Sequence, residues 1–204
     1  MSDTQDEEDD GGWAGFYEKT RGRPTRAPFA EAVSLAEQRQ GGPGMAADIG
    51  CGDGAETHAL LKRGWRVLAV DSEPAAARFV GAEVAADDAP RLQLLTASFD
   101  VMVLPALDFA WAGMALPFSG PAGFTPAWQR ILAALKPGGC FAGHFFGPND
   151  SWATPEPELA IHDAVALRAL LAGFDIVVFN EREWDGPSGG GPKHWHLFEV
   201  AAFR

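Results

Sequence analysis

Apolar and polar positions along this chain fall into alternating blocks of two kinds. Short, mostly apolar runs at 65–70, 92–97, 107–114 and 140–146, with a briefer one at 45–47, read as strands buried on both faces. The stretches between them, 55–62, 74–86, 125–135 and 163–171, have the mixed pattern of helices lying on a core. Punctuation agrees. Pro74 and Pro126 stand in first helical turns, where a missing N–H costs little, and Thr125 precedes Pro126 as a cap. Pro137-Gly138-Gly139 and Gly173 close two of the helices. The last two strands, 175–183 and 194–203, are joined by the glycine-rich stretch 186–191 and by no helix. Strands alternating with helices predict a mostly parallel α/β sheet with helices on both faces, and the helix-free joint predicts an antiparallel last strand. No repeat or linker divides the chain, so residues 13–204 are expected to form one domain.

Composition adds little to this, but charge adds something. A chain of 204 residues with 47% hydrophobic content suits one domain with a full core. No apolar run approaches the ~20 residues of a membrane span, so no membrane partner is expected. The N-terminus lacks the basic and apolar regions of a signal peptide. Acids outnumber Lys and Arg by 28 to 16, and six of them crowd the first ten residues with no base among them. Residues 1–12 are therefore expected to be a solvated, disordered leader. Beyond it, Lys19, Arg21 and Arg23 are too few to make a basic stripe, so a nucleic-acid partner is not expected. Cys51 and Cys140 have no metal-ligand spacing, and His194 and His196, alternate on one strand, have no evident third ligand. No metal is expected. Unpaired cysteines suit the cytoplasm, and a monomer or a homodimer remains open.

The run Asp48-Ile49-Gly50-Cys51-Gly52-Asp53-Gly54 links the first strand to the first helix of the alternation, and Asp71 ends the next strand. Glycines let a ligand approach the backbone, and a carboxylate at the second strand end can accept both hydroxyls of a ribose. A pyrophosphate loop needs G-x-G-x-x-G, whereas here the third glycine comes one residue early and acids flank the loop. Asp48 and Asp53 suit a ligand with ammonium or sulfonium charge better than a phosphate. The motif resembles motif I of the class I S-adenosylmethionine (SAM)-dependent methyltransferases, commonly E/D-x-G-x-G-x-G. Leu135-Lys136-Pro137-Gly138-Gly139 is a second marker of their small-molecule members.

The resemblance covers about residues 13–204 and implies a Rossmann-like sheet of seven strands with the last one antiparallel. It implies SAM as cofactor and a small-molecule acceptor with an O, N or S nucleophile. Gly50, Gly52 and Gly54, with Cys51 among them, would form the loop beneath the methionine part. Asp48 would orient that loop or the amino group, and Asp71, with Ser72 beside it, would hold the ribose. Where the family often has an acid for the adenine amino group, this chain has Ser98-Phe99, and Asp100 stands two positions on. Ser98 can accept a hydrogen bond and Phe99 can cover the adenine face. Ala112, within the fourth strand, is placed with the cofactor contacts. Two other readings remain: a nicotinamide oxidoreductase, which the early third glycine disfavours, and a SAM-binding regulatory protein without catalysis.

In open α/β sheets ligands bind beyond the carboxyl ends of the parallel strands. That edge should carry Trp111, Met114, His144 and Phe146, the following loop with Trp152, and the start of the antiparallel last strand, Lys193-His194-Trp195-His196. Trp13, Phe16 and Tyr17 lie on a predicted N-terminal helix that can fold over the cofactor. A pocket of Trp13, Tyr17, Trp111, Met114, Phe146, Trp152 and Trp195 would suit a flat acceptor, apolar or cationic. His144 and His194 are the candidate general bases, although methyl transfer by proximity needs none.

Overall fold

The computed structural model describes residues 12–154, 158–188 and 191–204. The leader expected at 1–12 lies, Gly12 apart, outside the described residues.

Two helices, α1 (Gly12–Thr20) and α2 (Phe29–Gln40), precede the alternation. It then runs β1 (Met45–Ile49), α3 (Ala55–Lys62), β2 (Arg66–Asp71), α4 (Ala75–Ala82), β3 (Leu92–Thr96), β4 (Leu107–Ala112), α5 (Gly120–Ala134), β5 (Leu135–Phe146), α6 (Ala164–Leu170), β6 (Asp175–Ser188) and β7 (Gly191–Phe203). The seven strands form one sheet in the order β3-β2-β1-β4-β5-β7-β6. β1 to β5 pair in parallel, and β7 runs antiparallel to both β5 and β6. The order reverses between β1 and β4, which places the crevice of a doubly wound sheet beyond their carboxyl ends.

Both faces of the sheet are covered, so its central strands are almost wholly apolar. One layer packs Ile49, Val70, Phe141, Phe145 and Phe198 against Phe124, Trp128 and Ile131 of α5 and Leu167 of α6. The other packs Phe109, Trp111, Ala142 and Ala201 against Phe29 and Val33 of α2 and Leu60 of α3.

Several boundaries differ from the sequence reading. α5 begins at Gly120, not at Thr125, so Pro126 falls inside the helix and Thr125 caps nothing. Phe124, 5% exposed and stacked on Trp128 one turn later, holds that first stretch in helical register. The fourth strand ends at Ala112, two residues early. Leu135 to Gly139 does more than stop α5. Leu135 pairs Leu107, the register then shifts, and Gly138 and Gly139 exchange backbone hydrogen bonds with Arg204 at 2.7 and 2.9 Å. The segment is the irregular opening of β5. Of the stretch expected as a loop, 186–191, the described residues 186–188 and 191 instead extend the final hairpin, with Gly186 paired to Lys193 and Pro187 to Pro192.

Candidate active site

The glycine loop is shaped by two separate constraints. Gly50 has φ +76°, and a Cβ there would lie 2.3 Å from the Ala115 Cβ, so neither backbone nor space admits a larger residue. The N–H groups of Gly50 and Cys51 donate to the Val70 carbonyl at 2.8 and 3.1 Å, which ties the loop to the end of β2. Gly54 serves a different purpose. A Cβ there would meet His58 and Val80, so it permits close packing of α3 on α4.

Asp71 sits over this loop with its acceptors engaged. Oδ2 accepts from the Gly52 N–H at 2.9 Å, and Oδ1 accepts from the Glu73 N–H at 2.9 Å and the Tyr17 hydroxyl at 3.0 Å. Burial and the Asp71 charge push the Tyr17 phenol well above its ordinary pKa, so it remains a donor. The Tyr17 ring lies against Gly52, where a Cβ would approach it to 3.0 Å. Asp48 is buried beneath the loop and accepts from the Thr57 hydroxyl at 2.6 Å. Burial and the nearby Glu56 raise its pKa to about 7.

The segment between α1 and α2 brings two arginines to this end. Arg23 clamps Glu56 with bonds of 2.8 and 2.7 Å and reaches Asp53 at 2.9 Å. Arg26 is different. Its backbone N–H donates to Glu56 at 2.8 Å, the residue lines the cavity, and its guanidinium has no hydrogen bond or ion pair among the described residues. Burial, then the Arg23 charge beside it, lowers its pKa. An unpartnered cation on a cavity-lining residue fits an anionic group of a ligand.

One cavity of about 1010 Å³ joins the glycine loop to an aromatic wall. The rings come from distant stretches. Trp13 meets Phe118 edge-on at 4.9 Å, Phe118 meets Phe146 and Trp152 at 5.9 and 6.1 Å, and Trp152 meets Trp195 at 5.6 Å. Met114 lines the cavity at φ +59°, a conformation that costs an L-residue about 1 kcal/mol or more and often marks a working site.

Of the predicted residues, Gly50, Cys51, Gly52, Asp71, Ser72, Ser98, Phe99 and Asp100 line the glycine-loop end. Trp13, Tyr17, Met114, Phe146, Trp152 and Trp195 line the cavity too. Asp48 and Gly54 support the loop from below and do not line it. Ala112 lies in the core under α5, and the residues reaching the cavity are Gly113 and Met114 just after it. Trp111 is a correction. It is 1% exposed in the α2 layer, 5.1 Å edge-on from Phe29, and lines no part of the cavity.

The histidines are also corrected. His144 shares the parity of Ala142 on β5 and turns into the α2 layer. Its Nε2 lies 2.5 Å from the Ala27 carbonyl, and its ring is 5.5 Å edge-on from Trp111. Burial lowers its pKa to about 4. His194 is on the expected edge but turns outward, 2.8 Å from Asp185 and 3.2 Å from Glu183. Neither lines the cavity, so neither is placed to take a proton from a ligand there. On the same outer face, Glu181, Glu183 and His196 gather at metal-ligand spacing. The His196 Nδ1 accepts from the Asn149 N–H at 3.0 Å, so Nε2 carries the proton and donates to Glu181 at 3.0 Å. That hydrogen bonding occupies the nitrogen a metal would need.

Sequence reasoning missed Arg26 and Phe118, and did not foresee that Lys193 would be buried against Asp150 behind the aromatic wall. Phe118 could have been suspected from its place after β4. The other two depend on tertiary contacts.

The methyltransferase domain family matches residues 46–139, which contain the loop, Asp71 and the end of α5. A search of curated proteins returns no match. Solved structures share the fold. The 1,6-didemethyltoxoflavin-N1-methyltransferase of Burkholderia thailandensis, with 1,6-didemethyltoxoflavin and S-adenosylhomocysteine (SAH) bound, superposes with a TM-score of 0.62 at 24% identity, over 87% of this chain and 78% of that one. TehB from Haemophilus influenzae gives 0.67 at 15% identity, over 94% and 67%. A SAM-dependent methyltransferase from Aquifex aeolicus gives 0.60 at 18% identity, over 93% and 97%.

Proposed function

We propose that this chain, whose residues 46–139 match the methyltransferase domain family, is a class I SAM-dependent methyltransferase that moves the methyl group of SAM to a small-molecule acceptor held against the aromatic wall. The observation carrying this reading is the single cavity that joins the glycine loop and Asp71 to that wall. The residues present suit the cofactor. Asp71 offers a carboxylate for the ribose hydroxyls, and Phe99 with Ser98 and Asp100 offers a face and acceptors for adenine. Arg26 offers the unpartnered cation that the methionine carboxylate needs. The tight cradle at Gly50 leaves backbone, not a side chain, facing the ligand.

When bound, SAM supplies a methyl group activated on a sulfonium. The protein's part is to hold the acceptor's nucleophilic atom in line with that methyl and to exclude water. Neither His144 nor His194 faces the cavity, so we assign no general base and place the acceptor's proton, where it has one, with solvent. Proximity and orientation carry the reaction. The Burkholderia enzyme, which holds an acceptor and SAH in one structure, is consistent with this two-part site. Among the described residues no helix is long and apolar enough to cross a membrane. The buried free thiols of Cys51 and Cys140 support a cytoplasmic setting.

Calorimetry with SAM, SAH, NAD and NADP tests the cofactor, with heat expected from the first two alone. Binding of NAD in place of SAM would return the chain to the oxidoreductase reading. A screen of small acceptors with methyl-labelled SAM then tests transfer. SAH binding with no labelled product from any acceptor would leave the regulatory reading standing.

A further inference from the structure

Aromatic walls ordinarily attract cations, because ring faces carry partial negative charge. In this site that capacity is already used. The Lys193 ammonium lies 4.1 Å from the centroid of the Trp195 ring, 4.2 Å from Trp152 and 5.3 Å from Phe146. Its side chain is 1% exposed and does not line the cavity, whereas all three rings do. The charge therefore stands behind the wall.

It is held there by a built arrangement. Lys193 pairs with Asp150, which is itself fixed by the Trp152 N–H at 3.0 Å and the His196 N–H at 3.1 Å. The carboxylate is anchored on backbone, and the ammonium projects among the rings, so the positive end of the pair faces the wall. We propose that the aromatic half of the site selects a flat acceptor without positive charge, and that Lys193 sets this preference.

Two further observations agree. Among the described residues, the carboxylates lining the cavity, Asp53, Asp71 and Asp100, belong to the glycine-loop end, and none lines the wall to attract a cation. The inference also rests on the methyltransferase reading in one respect, since a bound sulfonium would add a second positive charge facing the acceptor. What remains to the wall is stacking area, which favours neutral or anionic planar rings.

Two probes of equal heavy-atom count separate charge from shape: 4-methylquinoline, neutral at pH 8, and the N-methylquinolinium cation. Binding to the full chain is followed by tryptophan fluorescence, with and without saturating SAH. The neutral ring is expected to bind about tenfold or more tightly than the cation, since charges this close are weakly screened. In the double variant Lys193→Met/Asp150→Asn, which removes the pair without orphaning a charge, that ratio should shrink about tenfold. SAH affinity should stay unchanged. Equal or tighter binding of the cation overturns the proposal, as does failure of both rings to bind or an unchanged ratio in a folded double variant. If the double variant does not fold, the ratio in the unaltered protein decides alone. Loss of SAH binding in the unaltered protein would sink the cofactor reading instead, and the ratio measured without SAH still tests Lys193.

Discussion

At the glycine-loop end of the cavity, Gly50, Gly52 and Asp71 come from one βαβ unit, and the Gly52 N–H donates to Asp71 within it. At the other end, Trp13, Phe118, Phe146, Trp152 and Trp195 come from five separate stretches and meet ring against ring. The first end is a local motif whose geometry follows from steric rules on a few neighbouring residues. The second exists only once the whole sheet has assembled. Recognition of a shared cofactor can reside in the first, and choice of acceptor in the second.

The comparison can be broken by showing that its chemistry lies at neither end, in the layer holding His144. That histidine is neutral in the fold, with its pKa lowered from 6.5 to about 4 by burial. The unfolded chain takes up its proton first, so the stability His144 contributes is complete above pH 6.5 and lost as pH falls toward 4. The loss amounts to about 3 kcal/mol over that window. Asp48, raised to about 7, acts with the opposite sign, favouring the fold as pH falls. His144→Gln should thus flatten the acid-side loss in urea midpoints, Asp48→Asn should steepen it, and His144→Gln should keep its turnover at pH 7.5. A variant that folds but no longer turns over would return His144 to the chemistry.

The next effect separates the ends directly. Asp71→Ala should weaken SAH binding by roughly 1–3 kcal/mol through loss of a charge-assisted hydrogen bond, whereas Trp195→Ala should leave it unchanged. Calorimetry on both variants decides, and equal losses would mean that the two ends are not independent. Smaller still is Tyr17→Phe. Removing the phenol frees a lone pair on Asp71, so SAH should bind more tightly, by up to about 1 kcal/mol. Weaker binding would show that Tyr17 holds the cofactor and does not compete with it. Deleting residues 1–10 should change neither melting temperature nor SAH affinity, and a shift of several degrees would give the acidic leader a docking place.

The same contrast explains what could be read in advance. The sheet, its antiparallel last strand and the loop-to-acid spacing were legible because strand burial and glycine sterics are encoded over a few residues. The direction of His144 was not. Topology puts residue 144 at the correct edge, but facing is decided by β5 parity, which Phe141 and Phe145 fix by packing toward α5. Phe146, with the same parity as His144, reaches the cavity two positions further along, where it meets Phe118 and Trp152. Arg26 was hidden for a related reason. Nothing in its sequence neighbourhood distinguishes it from Arg23, and only the fold shows that one is paired and the other is not.

Helix α1 places Tyr17 on Asp71 and Trp13 on Phe118, so one short element touches both ends. The two ends therefore share a hinge of contact: any change that shifts α1 bears on the ribose acid and on the aromatic wall together.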